Sequence, residues 1–142
     1  MTLFASPVNG LDQRGLRIAF AYAWITGLCA AFGAIYETFS HGVYALGMVY
    51  AFAFPLLGGV FPALFLLKRG VGFPSDAALQ LWHFGISALT VGSLFSGALE
   101  IYGTTSRLTA VYWFAGGVCL FLSLLTALFL PAKVEERTPV NG

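Results

Sequence analysis

Four long apolar stretches follow one another along this chain of 142 residues, at roughly 16–38, 43–67, 78–101 and 108–130. Each provides about the ~20 residues that a helix needs to cross a ~30 Å hydrocarbon core. Backbone N–H and C=O groups in lipid must be paired within the protein, so a spanning segment of this kind folds as a helix. The sequence therefore predicts an all-α, polytopic membrane protein with four transmembrane helices.

Composition supports a membrane protein and excludes a nucleic-acid partner. Hydrophobic residues make up 58% of the chain and charged residues only 9%, whereas soluble domains carry roughly 25% charged residues. The formal net charge is +1, which is far from the basic surface that binds nucleic acid. The predicted partner is the lipid bilayer, and the short connections between the stretches predict one domain over 1–142.

The same two-helix unit occurs twice. A shift of 63 positions places Glu37 on Glu100, and a slip of one residue in the following loop places Pro55 on Gly117. We expect repeat 1 at about 14–69, repeat 2 at about 76–132, and a cytoplasmic tail at 133–142. Each copy contains two spans, so both copies enter the membrane with the same polarity. The prediction is two tandem, pseudo-symmetric hairpins.

Basic residues set the predicted orientation. Six of the seven lie on one side of a four-span topology, namely Arg14, Arg17, Lys68, Arg69, Lys133 and Arg137, whereas Arg107 lies on the other. Such a bias marks the cytoplasmic side. We therefore expect a multi-pass protein of the cytoplasmic (inner) membrane with both termini in the cytoplasm. The first ten residues have no basic region typical of a signal peptide, so none is expected.

Two glutamates are the first candidates for a functional site. Glu37 and Glu100 end the first and third apolar stretches on the predicted outer side. A carboxylate near lipid is costly and often functional. The pair is a candidate transport or ion-binding site.

A polar band on the third helix is the second candidate. His83, Ser87 and Thr90 share a face, and Ser93 lies on its flank. The band is typical of a proton or cation path, because histidine titrates near neutral pH. It is also typical of helix packing, because hydroxyls bond their own helix or a neighbour. For His83 alone, a hydrogen-bonded interfacial histidine is the favoured interpretation.

Small residues and prolines mark candidate packing and hinge positions. On the first helix, Ala30 and Gly33 belong to a small-residue stripe that ends at Glu37, and a packing seam is favoured over a route into a cavity. In the second helix Pro55 and Pro62 each remove a backbone donor. Pro55 corresponds to Gly117 of the fourth helix. Matching interruptions can mark a substrate site near the midplane, although a packing kink is favoured.

The sequence indicates no particular cofactor, and whether the protein binds one stays unknown. His41 and His83 fall at opposite ends of the membrane, which disfavours a haem held by both within one subunit. Cys29 and Cys119 are isolated mid-span residues, expected to pack as small hydrophobes, with a disulfide as the alternative. The sequence has no zinc-ligand spacing and no phosphate-binding loop.

Three functional hypotheses follow from these features. The first is a small transporter or channel for a cation or small solute that uses the outer carboxylate pair. The second is a non-catalytic accessory or anchor subunit of a membrane complex. The third is a membrane redox or cofactor-binding subunit. An enzyme is the less expected outcome, and both a homo-oligomer and a partner membrane subunit remain open.

Overall fold

A computed structural model describes residues 10–42, 44–69 and 74–130. Helix accounts for 85% of these described residues, and no strand occurs among them. Four segments are long and apolar enough to cross a membrane: Gln13–Phe39, Leu46–Arg69, Asp76–Ile101 and Leu108–Phe129. We refer to them as spans 1 to 4. They confirm the predicted all-α class and the four-helix architecture of a multi-pass membrane protein.

Spans 1, 3 and 4 are continuous helices, whereas span 2 is broken. The continuous helices are α1 (Gly10–Phe39), α5 (Asp76–Ile101) and α6 (Leu108–Phe129). Span 2 consists of α2 (Leu46–Val49), α3 (Ala53–Pro55), a π-helical turn (Leu56–Val60) and α4 (Phe61–Arg69). Pro55 and Pro62 flank the π-helical turn, and neither can donate a backbone hydrogen bond. The interruption of span 2 therefore follows directly from its sequence.

The spans pack in chain order, with span 2 in contact with both of its neighbours. Its first half, α2, lies against α5, and its second half, α4, lies against α1. Span 4 packs closely along span 3, where Gly85 and Gly116 let the backbones approach: a Cβ on either glycine would lie 3.1 Å from the other residue's carbonyl oxygen. Small residues thus set the closest contacts, as they do where lipid supplies no hydrophobic force between helices.

Spans 1 and 3 are joined by side chains and not by backbone packing. Among the described helices, no Cα of α1 lies within 8 Å of a Cα of α5. Two side-chain pairs bridge the gap, Arg14 with Asp76 and Tyr22 with His83. From the first pair to the second, both helices advance by about two turns, so spans 1 and 3 run in the same direction. That is the polarity predicted from the repeat.

The predicted pseudo-symmetry of the hairpins is not confirmed. A twofold relation would pack span 4 on span 1 as span 2 packs on span 3. In the part of the chain that the structure describes, no Cα of α6 lies within 8 Å of a Cα of α1. Span 2 is also broken where span 4 is continuous. The two hairpins therefore differ in both contacts and regularity.

The buried face of α1 coincides with the predicted small-residue stripe only in part. Gly33 is buried as expected, and a Cβ there would lie 3.2 Å from the carbonyl oxygen of Met48. Ala30 is exposed, whereas its neighbour Cys29 is buried. Successive helical positions differ by about 100°, so these two side chains lie on different faces of α1. Tyr22 is likewise buried on this face.

Some predicted features lie outside the described residues. These are the segment before residue 10, the loop at 70–73 and the tail at 133–142.

Candidate functional site: a cavity between the spans

A cavity of about 470 Å³ lies between the spans at the end that carries Arg14 and Arg69. All four spans and Pro74 contribute to its wall. The lining residues are Ile18, Tyr22, Gly58, Gly59, Pro62, Ala63, Leu66, Pro74, Leu79, Trp82, His83, Ser123, Leu124 and Ala127. A volume of this size is within the range of small-molecule sites, which are mostly apolar with a few convergent polar groups. The wall here has that composition.

Tyr22 and His83 form the main polar group of the cavity. The Tyr22 hydroxyl and the His83 Nδ1 share a hydrogen bond, and the two ring centroids are 5.3 Å apart. Tyr22 is buried and His83 is half-buried. A polar group in a membrane protein is costly unless it is paired. The bond satisfies Nδ1 and leaves Nε2 as the second hydrogen-bonding atom of the ring.

Gly58 and Gly59 let span 2 approach its neighbours beside this pair. A Cβ on Gly59 would lie 2.0 Å from Cδ1 of Tyr22, so the tyrosine ring rests on the bare backbone. A Cβ on Gly58 would lie 2.2 Å from Cδ1 of Ile86 on span 3. Both distances are too short for any side chain at these positions without movement of the neighbour. The two glycines thereby place the ring of Tyr22 where its hydroxyl reaches His83.

Trp82 binds the carbonyl that the helix break exposes. Pro62 has no N–H to donate to the carbonyl of Gly58, four residues earlier. Instead the Trp82 Nε1–H donates to that oxygen, at 2.6 Å. An indole N–H is a donor only and needs an acceptor when it lies away from water. One bond therefore satisfies both groups and ties span 3 to the broken part of span 2.

An ion pair joins spans 1 and 3 at the end of the spans where the cavity lies. The Arg14 guanidinium donates to the Asp76 carboxylate. The two side chains are 50% and 76% exposed. Exposed pairs of this kind contribute at most ~1 kcal/mol, because water screens them and two side chains lose freedom. The pair therefore joins the ends of spans 1 and 3 only weakly.

The structure separates the predicted polar band of span 3 into different environments. His83 lines the cavity, whereas Ser87 is exposed. Thr90 is buried and donates to the Ile86 carbonyl of its own helix at 2.7 Å. Ser93 is buried and donates across to the carbonyl of Gly47 on span 2. Thr90 and Ser93 thus bond backbone carbonyls, and of these four residues only His83 reaches the cavity.

The two glutamates lie at the other end of the spans. Glu37 is half-buried and Glu100 is exposed, and neither is among the described residues that line the cavity. The side chains of Tyr36 and Tyr102, which lie close to these glutamates along the chain, are near each other. The structure thus brings these ends of spans 1 and 3 near each other, and its cavity lies at the opposite end.

Among the predicted hinge and packing positions, Pro55 is buried in span 2. Gly117 is different, because a Cβ there would meet nothing within 4 Å. Its neighbour Gly116 is the residue that packs against span 3. Cys29 and Cys119 are free thiols, so the disulfide alternative does not occur. No group of three or more potential metal ligands occurs in the described segments.

Sequence reasoning missed Tyr22 and Trp82 as cavity residues. Tyr22 gives no sequence signal, because it is one of several aromatics in apolar stretches. A signal for Trp82 exists: a proline four residues after Gly58 frees a carbonyl, and an indole in a neighbouring span needs an acceptor.

Comparisons of the chain with protein-family models, curated proteins and solved structures gave no match. A function therefore has to be inferred from the geometry of the chain itself.

Proposed function

We propose that this protein is a small membrane transporter and that its solute site is the cavity between the spans. The observation that carries the proposal is the coincidence of three features at one place: a cavity of about 470 Å³, the paired polar groups of Tyr22 and His83, and a broken helix. Irregular backbone at membrane depth is tolerated where it is buried in protein or lines a cavity. Transporters commonly place broken helices at the solute site.

The residues have distinct roles in this proposal. His83 offers Nε2 to a polar group of the solute, and Tyr22 holds the ring through Nδ1. Trp82 provides an apolar wall whose position is fixed by its bond to Gly58. The π-helical turn of span 2 supplies an irregular segment of the kind found often at functional sites. Spans 1 and 3 can separate at this end by losing side-chain bonds without disrupting backbone packing.

A cysteine-accessibility experiment tests transport. In a Cys29→Ala, Cys119→Ala background, Ala127→Cys places a thiol in the cavity wall. We expect a membrane-impermeant methanethiosulfonate reagent to modify it in both inside-out and right-side-out vesicles, because alternating access opens the cavity to each side in turn. Ala115→Cys, exposed on the same helix, is the control for lipid-facing thiols. Modification from one face only, or at the control rate, would contradict transport.

The hydrogen-bonded pair of Tyr22 and His83 gives a second readout in the same assay. Tyr22→Phe removes the hydrogen bond to Nδ1 while keeping the ring. We expect it to change the modification rate at position 127 at least about threefold, since loss of one hydrogen bond is worth ~1 kcal/mol. His41→Asn is the matched control, because His41 is exposed in a turn with φ 52°, a conformation that asparagine tolerates.

We propose that the outer carboxylates Glu37 and Glu100 form a separate cation-interacting group at the opposite end. The proximity of the Tyr36 and Tyr102 side chains supports this, because Tyr36 is next to Glu37 and Tyr102 is two residues after Glu100. Glu37→Gln and Glu100→Gln keep side-chain shape and remove charge. We expect each to slow cation-coupled uptake without lowering expression. If both are tolerated while bulky replacements at Gly33 release the protein from a larger assembly, the accessory-subunit hypothesis replaces this one.

The proposed orientation is that of a cytoplasmic-membrane protein with the cavity at the cytoplasmic end of the spans. The support is the excess of basic residues at that end. Reporters inserted at Val71 and fused after Gly142 should respond as cytoplasmic, and a reporter at Thr104 as external. A reporter at Val71 that responds as external would reverse the assignment.

A further inference from the structure

Along spans 1 and 2, an arginine lies one helical turn beyond the last residue of the apolar cavity wall. On span 1, Ile18 and Tyr22 line the cavity, and Arg14 lies one turn before Ile18 on the same helix face. On span 2, Pro62 and Leu66 line the cavity. Arg69 follows Leu66 by three residues and so extends that face by one turn. The two cavity-facing stripes thus both end in an arginine.

Each arginine makes one contact at this end of the spans, beyond the residues that line the cavity. Arg14 is paired with Asp76 on span 3. The Arg69 guanidinium lies 4.9 Å from the centroid of the exposed Phe65 ring, in a cation–π contact. Asp76 neutralises one of the two positive charges, and the adjacent Lys68 adds a further positive charge. This end of the spans therefore carries a net positive charge next to an apolar cavity.

We propose that the cavity binds an anionic amphiphile, with its apolar chain between the spans and its acidic head group at Arg14 and Arg69. This rests on the proposed function, because it takes the same cavity as the solute site. Arginine pairs well with carboxylate and phosphate, since its planar fork donates two parallel hydrogen bonds. Basic pockets between transmembrane helices on the cytoplasmic side bind acidic lipid head groups in this way.

Two sources share this chemistry, a free long-chain carboxylate and a phospholipid with an anionic head group. A zwitterionic lipid has the same chains but no net negative charge. A small cation fits the site poorly, because the positive charges at this end of the spans repel it. The test therefore varies the head group while keeping the chain constant.

Trp82 provides the probe, because it lines the cavity and bromine atoms on a lipid chain quench tryptophan on contact. A Trp24→Phe, Trp113→Phe background leaves Trp82 as the sole tryptophan of the chain. The protein is reconstituted in phosphatidylcholine nanodiscs. Three brominated probes are then titrated: dibromostearate, phosphatidylglycerol with the same dibrominated chains, and phosphatidylcholine with the same chains.

We expect at least one of the two anionic probes to quench Trp82 at about fivefold lower mole fraction than brominated phosphatidylcholine. This is the increase in affinity that about one arginine contact provides to an anionic head group near a membrane surface. Preference for dibromostearate identifies a free carboxylate, and preference for phosphatidylglycerol identifies a phospholipid. Arg69→Gln should remove most of the preference. Arg107→Gln, which removes an exposed charge at the other end, should leave it intact.

A cavity-filling variant separates the failure of this inference from failure of the proposed site. Ala127→Phe should reduce quenching by every brominated probe, and Ala127→Leu replaces it if the larger variant does not fold. If filling the cavity abolishes quenching but brominated phosphatidylcholine quenches as well as the anionic probes, the site stands and the anionic class is overturned. If filling the cavity changes nothing, the cavity holds no chain and the proposed site falls as well.

Discussion

Replacement of Gly97 by alanine tests a close contact between the backbones of spans 2 and 3. A Cβ on Gly97 would lie 2.5 Å from the backbone nitrogen of Met48 and 3.0 Å from its Cα. Ordinary contact for a Cβ begins at 3.4 Å, so the nitrogen lies about 0.9 Å too close. Met48 is 1% exposed. Its backbone cannot rotate away as a side-chain tip does, and α2 must move as a unit.

The magnitude follows from two opposing effects. Overpacking in a well-packed interior costs about 1–3 kcal/mol. Alanine gains up to ~1 kcal/mol over glycine within a helix. Because the clash is with backbone and because Ser93 ties span 3 to the same segment, we expect a net loss of about 2 kcal/mol in the free energy of unfolding.

Gly117→Ala is the matched control. A Cβ there meets nothing within 4 Å, so the helix-forming gain remains without a clash, and stability should be unchanged or up to ~1 kcal/mol higher. Unfolding of both variants by dodecyl sulfate in mixed micelles, followed by circular dichroism, measures the difference. Equal stability of Gly97→Ala and Gly117→Ala would refute the close approach of α2 to span 3.

Three further outcomes are expected in the same assay. Trp82→Phe leaves the freed carbonyl of span 2 without its donor and should cost about 1–3 kcal/mol; no loss would mean that the carbonyl has another partner. Cys29→Ala with Cys119→Ala should change stability little, and the parent protein should be equally stable with and without reductant, because both thiols are free. A parent protein whose stability depends on reductant would contradict this. Arg14→Gln should cost less than ~1 kcal/mol, because its pair with Asp76 is exposed; a larger loss would show that this end is drier than the structure indicates.

The interruption of span 2 shows which contacts the local sequence predicts and which it does not. The position of Pro62 is enough to identify the freed carbonyl of Gly58, because the missing N–H is a covalent property of proline. The donor that binds it, Trp82, lies 24 residues later on another span. Nothing local selects that indole over other polar groups of span 3. Only the relative rotation of spans 2 and 3 does so.

The polar band of span 3 shows the same limit. Helical periodicity places His83, Ser87 and Thr90 on one face, but the structure exposes Ser87 and buries Thr90 against its own helix. Span 3 has different neighbours along its length, with α2 beside the half that ends at Ile101 and the cavity beside the half that begins at Asp76. One helix face therefore passes through several environments that periodicity cannot distinguish.

The sequence by itself determined the all-α class, the four spans and the break in span 2, because hydropathy, helix length and the lack of a proline N–H are properties of contiguous residues. The tertiary structure decided the pairing of Tyr22 with His83, the burial of Cys29 in place of Ala30 on α1, and the position of the cavity. Each of these depends on how closely two helices distant in sequence approach. That approach is set by a few glycine contacts, such as the one between Gly59 and the Tyr22 ring, whose partners the sequence does not name.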